Sequence, residues 1–188
     1  IGIKPTPSIG GVGLIKDYTK MITMSFKEIG NIVMVIGKTE GHIDQSLFAR
    51  SILNEKNGPP PEINLFNEKN NGVSLLNLIQ KGHIKSAHDV SLGGIITAVS
   101  KMCILGNKGM KLNKSKNLIN EIEYLFAEDQ GRYVIEISPK DLKVVSKILE
   151  QNSVHHEELG IIIEKDLIIN QKTKVTIDEL KSYNSNWL

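Results

Sequence analysis

The 188-residue chain has one cysteine, Cys103, and only 5% aromatic residues. A single cysteine excludes an internal disulfide framework and a cysteine-based zinc site, and fits a reducing compartment, so a cytoplasmic setting is expected. Charge of one sign is also lacking. Lys and Arg number 23 against 21 Asp and Glu, a net charge of +2 with the signs mixed along the chain, and nothing in that balance calls for nucleic acid or an anionic membrane as partner. No apolar run reaches membrane-spanning length, and the N-terminus carries no signal-peptide pattern. What remains is the profile of one or at most two globular domains, 40% hydrophobic and 23% charged. The start at Ile1-Gly2-Ile3, running at once into Pro5-Thr6-Pro7, reads as mid-protein sequence and raises the expectation of a piece of a longer protein.

Ser8-Ile9-Gly10-Gly11-Val12-Gly13-Leu14-Ile15 reads as an extended segment with glycines where another backbone passes close by, and 16–29 as a linker with a short amphipathic turn. Asn31 to Gly37 is a continuous apolar run, the mark of a strand buried on both faces. Helical spacing follows over 44–55, ended by Pro59-Pro60-Pro61. It resumes over 62–81, as two helices or as one interrupted at Asn70-Asn71-Gly72. A strand at 84–88 turns into a helix over 93–105 that stops at Gly106. Beyond a short strand near Met110 and a helix ending at Phe126, Arg132 to Ile137 alternates as a half-buried strand does, and Ser138-Pro139 opens a helix over 142–149. Strand-like segments at 159–163, 167–170 and 174–177 precede a last helix from Asp178. Alternating strands and helices give an α/β (α+β) class with a largely covered sheet.

Two segments carry candidate chemistry. In His88-Asp89-Val90-Ser91-Leu92-Gly93-Gly94 a carboxylate, a hydroxyl and two glycines occupy a strand-to-helix turn. Unpaired N–H groups at a helix start attract anions, glycines admit a phosphate, and Asp89 could hold the accompanying magnesium. The plainer account is that Asp89 or Ser91 caps the helix, which is the commoner use of such residues. Glu128-Asp129-Gln130-Gly131-Arg132 could grip a sugar hydroxyl or a phosphate, or be a solvated loop with an ion pair. Gly37 to Ser46 bears glycines but lacks the spacing of a phosphate-binding Walker loop. His155-His156-Glu157-Glu158 reads as a solvated run, because adjacent side chains diverge, and Cys103 as core.

Together, Pro5 to Ile15, Gly41-His42-Ile43-Asp44-Gln45-Ser46, Pro59-Pro60-Pro61, Ser86 to Gly94 and Leu125 to Tyr133 occur in an order that resembles the C-terminal part of the phosphoribosylformylglycinamidine synthase subunit II family, within the aminoimidazole ribonucleotide synthetase superfamily. The closing Trp187-Leu188 is similar as well. The resemblance implies a mixed sheet flanked by helices, with 1–15 as the last strand of a preceding N-type domain, 16–29 as linker and 30–188 as a C-type domain. It implies a ligase of purine biosynthesis that uses ATP and glutamine-derived ammonia to convert formylglycinamide ribonucleotide to formylglycinamidine ribonucleotide, releasing ADP and phosphate. ATP and Mg2+ are the implied cofactors, and a glutaminase subunit and a small bridging subunit the implied partners.

No catalytic residue carries over, since the family's catalytic histidines, ATP-binding lysine and most magnesium carboxylates lie in parts that this chain does not contain. The piece alone is therefore expected to be inactive. His88, Asp89, Ser91, Gly93, Gly94, Glu128, Asp129 and Gln130 are implied to face a pseudo-symmetric nucleotide site, with Asp89 toward metal. Leu92 stands where the family has Asp, and Asp44 where it has Gly; both departures weaken metal and phosphate contact. Two other readings fit parts of the pattern. One is a different ATP-dependent enzyme of the superfamily; the other is a non-catalytic module that docks a glutaminase. An exposed N-terminal strand would also let two copies pair.

Overall fold

The computed structural model describes residues 8–113 and 119–185. Pro5-Thr6-Pro7 and Trp187-Leu188 lie outside the described residues.

Seven strands form one sheet: β1 (Ile32–Ile36), β2 (Ile84–Asp89), β3 (Gly109–Leu112), β4 (Tyr133–Ile137), β5 (His156–Ile163), β6 (Leu167–Ile169) and β7 (Thr173–Val175), in the order β2-β4-β1-β5-β3-β6-β7. The β3–β6 pair is parallel and the other five are antiparallel, so the sheet is mixed as expected. Helices cover both faces: α1 (Leu65–Gln80), α2 (Gly94–Gly106), α3 (Glu121–Phe126), α4 (Leu142–Gln151) and α5 (Ile177–Ser185). Ile95, Val99 and Met102 of α2 pack with Tyr124 of α3, Ile177 of α5 and one face of the sheet, Val33, Val35 and Val134. On the other face Leu75 and Leu78 of α1 and Val145 and Leu149 of α4 pack on Met34, Ile36, Ile135 and Ile137. Two apolar layers thus enclose one sheet.

β1 lies near the centre, and Val33 to Ile36 are buried on both faces, as the unbroken apolar run requires. β4 departs from the half-buried reading. Every residue from Val134 to Ile137 is buried, Glu136 included. The Glu136 carboxylate tolerates that position because four donors meet it: Asn31 Nδ2 at 2.7 Å, Ser86 Oγ at 2.8 Å, and the backbone N–H groups of Lys27 at 2.8 Å and Glu28 at 3.0 Å. Sequence alternation does not register a charge held inside in this way.

Two further expectations are corrected. α1 is one continuous helix: buried Asn71 donates to Gly131 O at 2.9 Å, so the Asn70-Asn71-Gly72 stretch is anchored rather than broken. The 44–55 stretch is not an α-helix. Gln45 and Asn54 take left-handed backbone angles, and only one wide π-type turn, Ala49–Leu53, forms between them. Among the described residues no strand pairs with the exposed 8–15 segment, and nothing lies within 4 Å of the Cβ positions of Gly10, Gly11 and Gly13.

The stretch read as linker is anchored in its second half. Thr23 bridges Ser86 of the edge strand β2, Phe26 is buried in the core and its N–H donates to Met102 O, and Lys27 and Glu28 bind Glu136.

Cys103 is buried on α2 as expected, and burial pushes its thiol from 9.0 up to about 12. The unfolded thiol loses its proton from about pH 9 while the folded one keeps it, so the unfolded chain binds fewer protons and stability falls as pH rises above 9. Urea unfolding between pH 8 and pH 10 is expected to show this slope, up to ~1.4 kcal/mol per pH unit. Cys103→Ala is expected to be less stable at pH 8 and to show a shallower slope.

Candidate functional site

Antiparallel pairing brings four strand ends to one edge of the sheet. Ile36 opposes Tyr133 and His156, and Tyr133 opposes Asp89, so the loops after β1 and β2 and before β4 and β5 meet there. The two segments singled out in the sequence are therefore neighbours. Glu128 Oε1 accepts the N–H of Gly93 at 2.8 Å and that of Leu47 at 2.7 Å, tying the β2–α2 turn to the loop after β1.

The β2–α2 turn is not built as the capping account has it. Gly93 is the N-cap of α2, and neither Asp89 nor Ser91 caps the helix. The carboxylate of Glu128 supplies the missing acceptor from another loop. Gly94 has φ +70°, and a Cβ there would stand 2.6 Å from Leu125 O and 2.7 Å from Ala127 O, so only glycine lets the helix start lie against the 125–127 backbone.

The 127–132 loop is solvated only in part, Gln130 being exposed. Arg132 is 1% exposed and Asp129 8%. The guanidinium donates in three directions: Nε to Asp129 O at 3.1 Å, Nη1 to Thr39 Oγ1 at 2.9 Å and Nη2 to Ala127 O at 2.7 Å. Burial lowers the Arg132 pKa, and the Asp129 carboxylate, 3.8 Å from Nη1, works against that shift. Asp129 faces the next loop, accepting the N–H groups of Glu40 and Gly41 on Oδ2 at 3.0 and 3.2 Å and that of His42 on Oδ1 at 3.2 Å. Gly37 completes the join: with φ +94°, its absent Cβ would lie 2.7 Å from Gly131 O.

Two hollows open here. A cleft of about 960 Å³ runs between the 37–42 loop and the start of α1, with Lys38, Asn64, Glu68, Asn71, Gln130 and His155 among its lining residues. A smaller one of about 210 Å³ is lined in part by Asp44, Ser91, Leu92, Glu128 and Gln130. Of the candidate residues, Ser91 and Glu128 share the small hollow, Asp129 lines the cleft and Gln130 lines both, while His88 and Asp89 line neither. Sequence reasoning missed the amides of Asn64, Asn67 and Asn71 and read His155 only as part of a solvated run; the helical spacing of the three asparagines is a signal that could have found them.

His88 Nδ1 lies 3.0 Å from Asp89 Oδ1, which makes Nδ1 the donor and leaves Nε2 buried without a hydrogen-bond partner. The Asp89 side chain is 64% exposed. No group of three or more His, Cys, Asp or Glu side chains that could hold a metal ion occurs among the described residues, and apolar Leu92 adds no ligand. His155 Nε2 meets Glu157 Oε1 at 2.9 Å, and Glu157 also accepts from Tyr124 Oη, so the 155–158 run is less solvated than its sequence suggests.

Arg132→Lys is expected to lower the unfolding free energy by about 2–4 kcal/mol, because a single ammonium nitrogen cannot reach acceptors spaced around the three nitrogens of a planar guanidinium. Lys38→Ala, which breaks an exposed pair with Glu40, is expected to leave stability unchanged. Urea denaturation of both variants checks the contrast.

A family model described as AIR synthase related protein, C-terminal domain, matches residues 28–170. The chain is 71% identical over all 188 residues to phosphoribosylformylglycinamidine synthase subunit PurL of Pelagibacter ubique (strain HTCC1062), covering 26% of that protein. It is 37% identical over 185 residues to the same subunit of Bartonella henselae, covering 25% of it. The chain thus spans about a quarter of the length of the curated relatives it matches. Among solved structures, T. maritima PurL complexed with FGAR has a TM-score of 0.71 at 18% identity, covering 86% of this chain and 29% of that one. T. maritima PurL complexed with ATP has a TM-score of 0.67 at 17% identity, with coverage of 86% and 27%, and E. coli HypE, a hydrogenase maturation protein, 0.59 at 16%, with 83% and 52%. At these identities the likeness speaks for the fold. The domain match and the extent of the sequence identity place the chain in the AIR synthase related family, as a C-terminal-type domain akin to part of subunit PurL.

Proposed function

We propose that the chain is the C-type domain, 30–188, of a phosphoribosylformylglycinamidine synthase, with 16–29 leading into it and 1–15 as the last strand of a preceding N-type domain. The observation that carries this reading is the 71% identity to the Pelagibacter ubique subunit over the entire chain. The longer protein would be an ATP-dependent ligase of purine biosynthesis. It would convert formylglycinamide ribonucleotide, with ammonia from glutamine, to formylglycinamidine ribonucleotide, ADP and phosphate. Solved T. maritima PurL structures with ATP, ADP and AMPPCP support a nucleotide as its ligand, and a PurLQS structure from the same organism supports assembly with further subunits, here a glutaminase and a small bridging subunit. No helix among the described residues is long and apolar enough to cross a membrane, and a cytoplasmic setting suits this enzyme.

The chain's own contribution is a wall of the auxiliary nucleotide site. Asp89, Ser91 and Gln130 are exposed at the loop edge, where a ligand can reach them, whereas Glu128 and Asp129 act by holding the loops. His88 steadies Asp89, and Gly93 and Gly94 let the turn approach the 125–127 backbone. Magnesium in the longer enzyme would rest on the nucleotide's phosphates and on carboxylates outside this chain, with the exposed carboxylate of Asp89 as this chain's own ligand toward it. Pairing of two copies through the exposed 8–15 segment is a separate proposal; light scattering showing only monomer at high concentration would reject it.

The 188-residue chain alone is expected to form no formylglycinamidine ribonucleotide from formylglycinamide ribonucleotide, ATP and ammonia, while a protein extended to its relatives' full length is expected to do so. In that longer protein Asp89→Ala is expected to weaken ADP binding at the auxiliary site by calorimetric titration. A full-length protein with no synthase activity would refute the reading.

A further inference from the structure

Five backbone N–H groups from two loops converge on two adjacent carboxylates. Glu40, Gly41 and His42 donate to Asp129 at 3.0 to 3.2 Å, and Leu47 and Gly93 donate to Glu128 Oε1 at 2.7 and 2.8 Å. Successive N–H groups form a concave receptor for anions, and the first N–H groups of a helix such as α2 are where an external phosphate would ordinarily sit. We propose that the 40–47 loop and Gly93 together form an anion receptor whose resident anions are Glu128 and Asp129, so that external phosphate is excluded from both turns. This rests on the nucleotide reading only in its corollary, that a bound nucleotide places its phosphates elsewhere.

Three observations support exclusion rather than a resting contact that a ligand would displace. Arg132 fixes the carbonyls of Ala127 and Asp129, on either side of Glu128, so both carboxylates are held in place before any ligand arrives. An intramolecular carboxylate held in this way competes at an effective concentration that free phosphate in solution does not match. A phosphate at Gly93 or Gly41 would also meet the retained charge of Glu128 or Asp129 at close range, a repulsion that grows as water is excluded. The cation nearest to Asp129 among the ion pairs of the described residues, Arg132, is buried behind it with its donors already engaged.

The test uses the 188-residue chain with inorganic phosphate, formate and ADP as probes, against chloride at matched ionic strength. In the wild type, the amide NMR signals of Glu40, Gly41, His42, Leu47 and Gly93 are expected to stay unmoved as phosphate or ADP is added. Asp129→Ala, which empties the part of the receptor formed by Glu40, Gly41 and His42, is expected to melt at lower temperature and to regain part of the loss saturably with formate and not with chloride. Saturable phosphate- or ADP-dependent shifts at those wild-type amides would overturn the proposal, and so would an Asp129→Ala variant that folds but shows no formate-specific recovery. If that variant does not fold, the wild-type titration still decides, and Glu128→Gln, which keeps an acceptor without its charge, provides a second folded comparison. ADP binding that leaves these amides unmoved supports both this proposal and the nucleotide reading. ADP failing to bind even the full-length protein would count against the nucleotide reading alone.

Discussion

The buried guanidinium of Arg132 is the contact on which the loop edge of this domain depends. Taking a cation out of water is expensive, and it is tolerated here because three acceptors and a nearby carboxylate surround it. In return the backbone from Ala127 to Arg132 has one shape. That shape aims Glu128 and Asp129 outward at the N–H groups of two other loops, and Gly37 and Gly94 let those loops come close enough to be gripped. Loss of the guanidinium would therefore act on residues some ninety positions earlier in the chain as well as on its neighbours.

β4 places a buried charge at each end of its run. Arg132 precedes the strand and ties it to the loop after β1, while Glu136 inside it ties down Lys27, Glu28, Asn31 and Ser86. Because β4 lies between β2 and β1, these two polar clusters fix the strand against sliding: a shift by one residue would leave both charges buried without partners. The apolar layers supply the bulk of the stabilisation, and the charges select one register.

Much of this architecture was legible in the sequence because it follows from local pattern. The unbroken run Ile32–Ile36 announced a central strand, Gly106 a helix stop, and Ser138-Pro139 the entry to α4. The polar devices were not legible for a common reason: their partners lie far along the chain. Glu136 reads as the outward residue of an alternating strand until Asn31 and Ser86 come beside it, and Glu128 reads as a loop residue until it is seen to cap α2 from a distance. Asn71 reads as a break in a helix until its acceptor, Gly131, 60 residues away, comes beside it. Of the candidate site, sequence identified the two segments that meet; it did not separate residues that face outward, such as Gln130, from those that hold the loops.

The fold and the family likeness describe a C-terminal-type domain of the AIR synthase related family whose loop edge is braced from within. The central claim, that Glu128 and Asp129 are structural anions engaged before any ligand binds, is tested most directly by amide hydrogen exchange on the ligand-free chain. The N–H groups of Glu40, Gly41, His42, Leu47 and Gly93 are predicted to exchange slowly, with protection well above that of the exposed 8–15 segment. Exchange of these five amides at the rate of that segment would contradict the account.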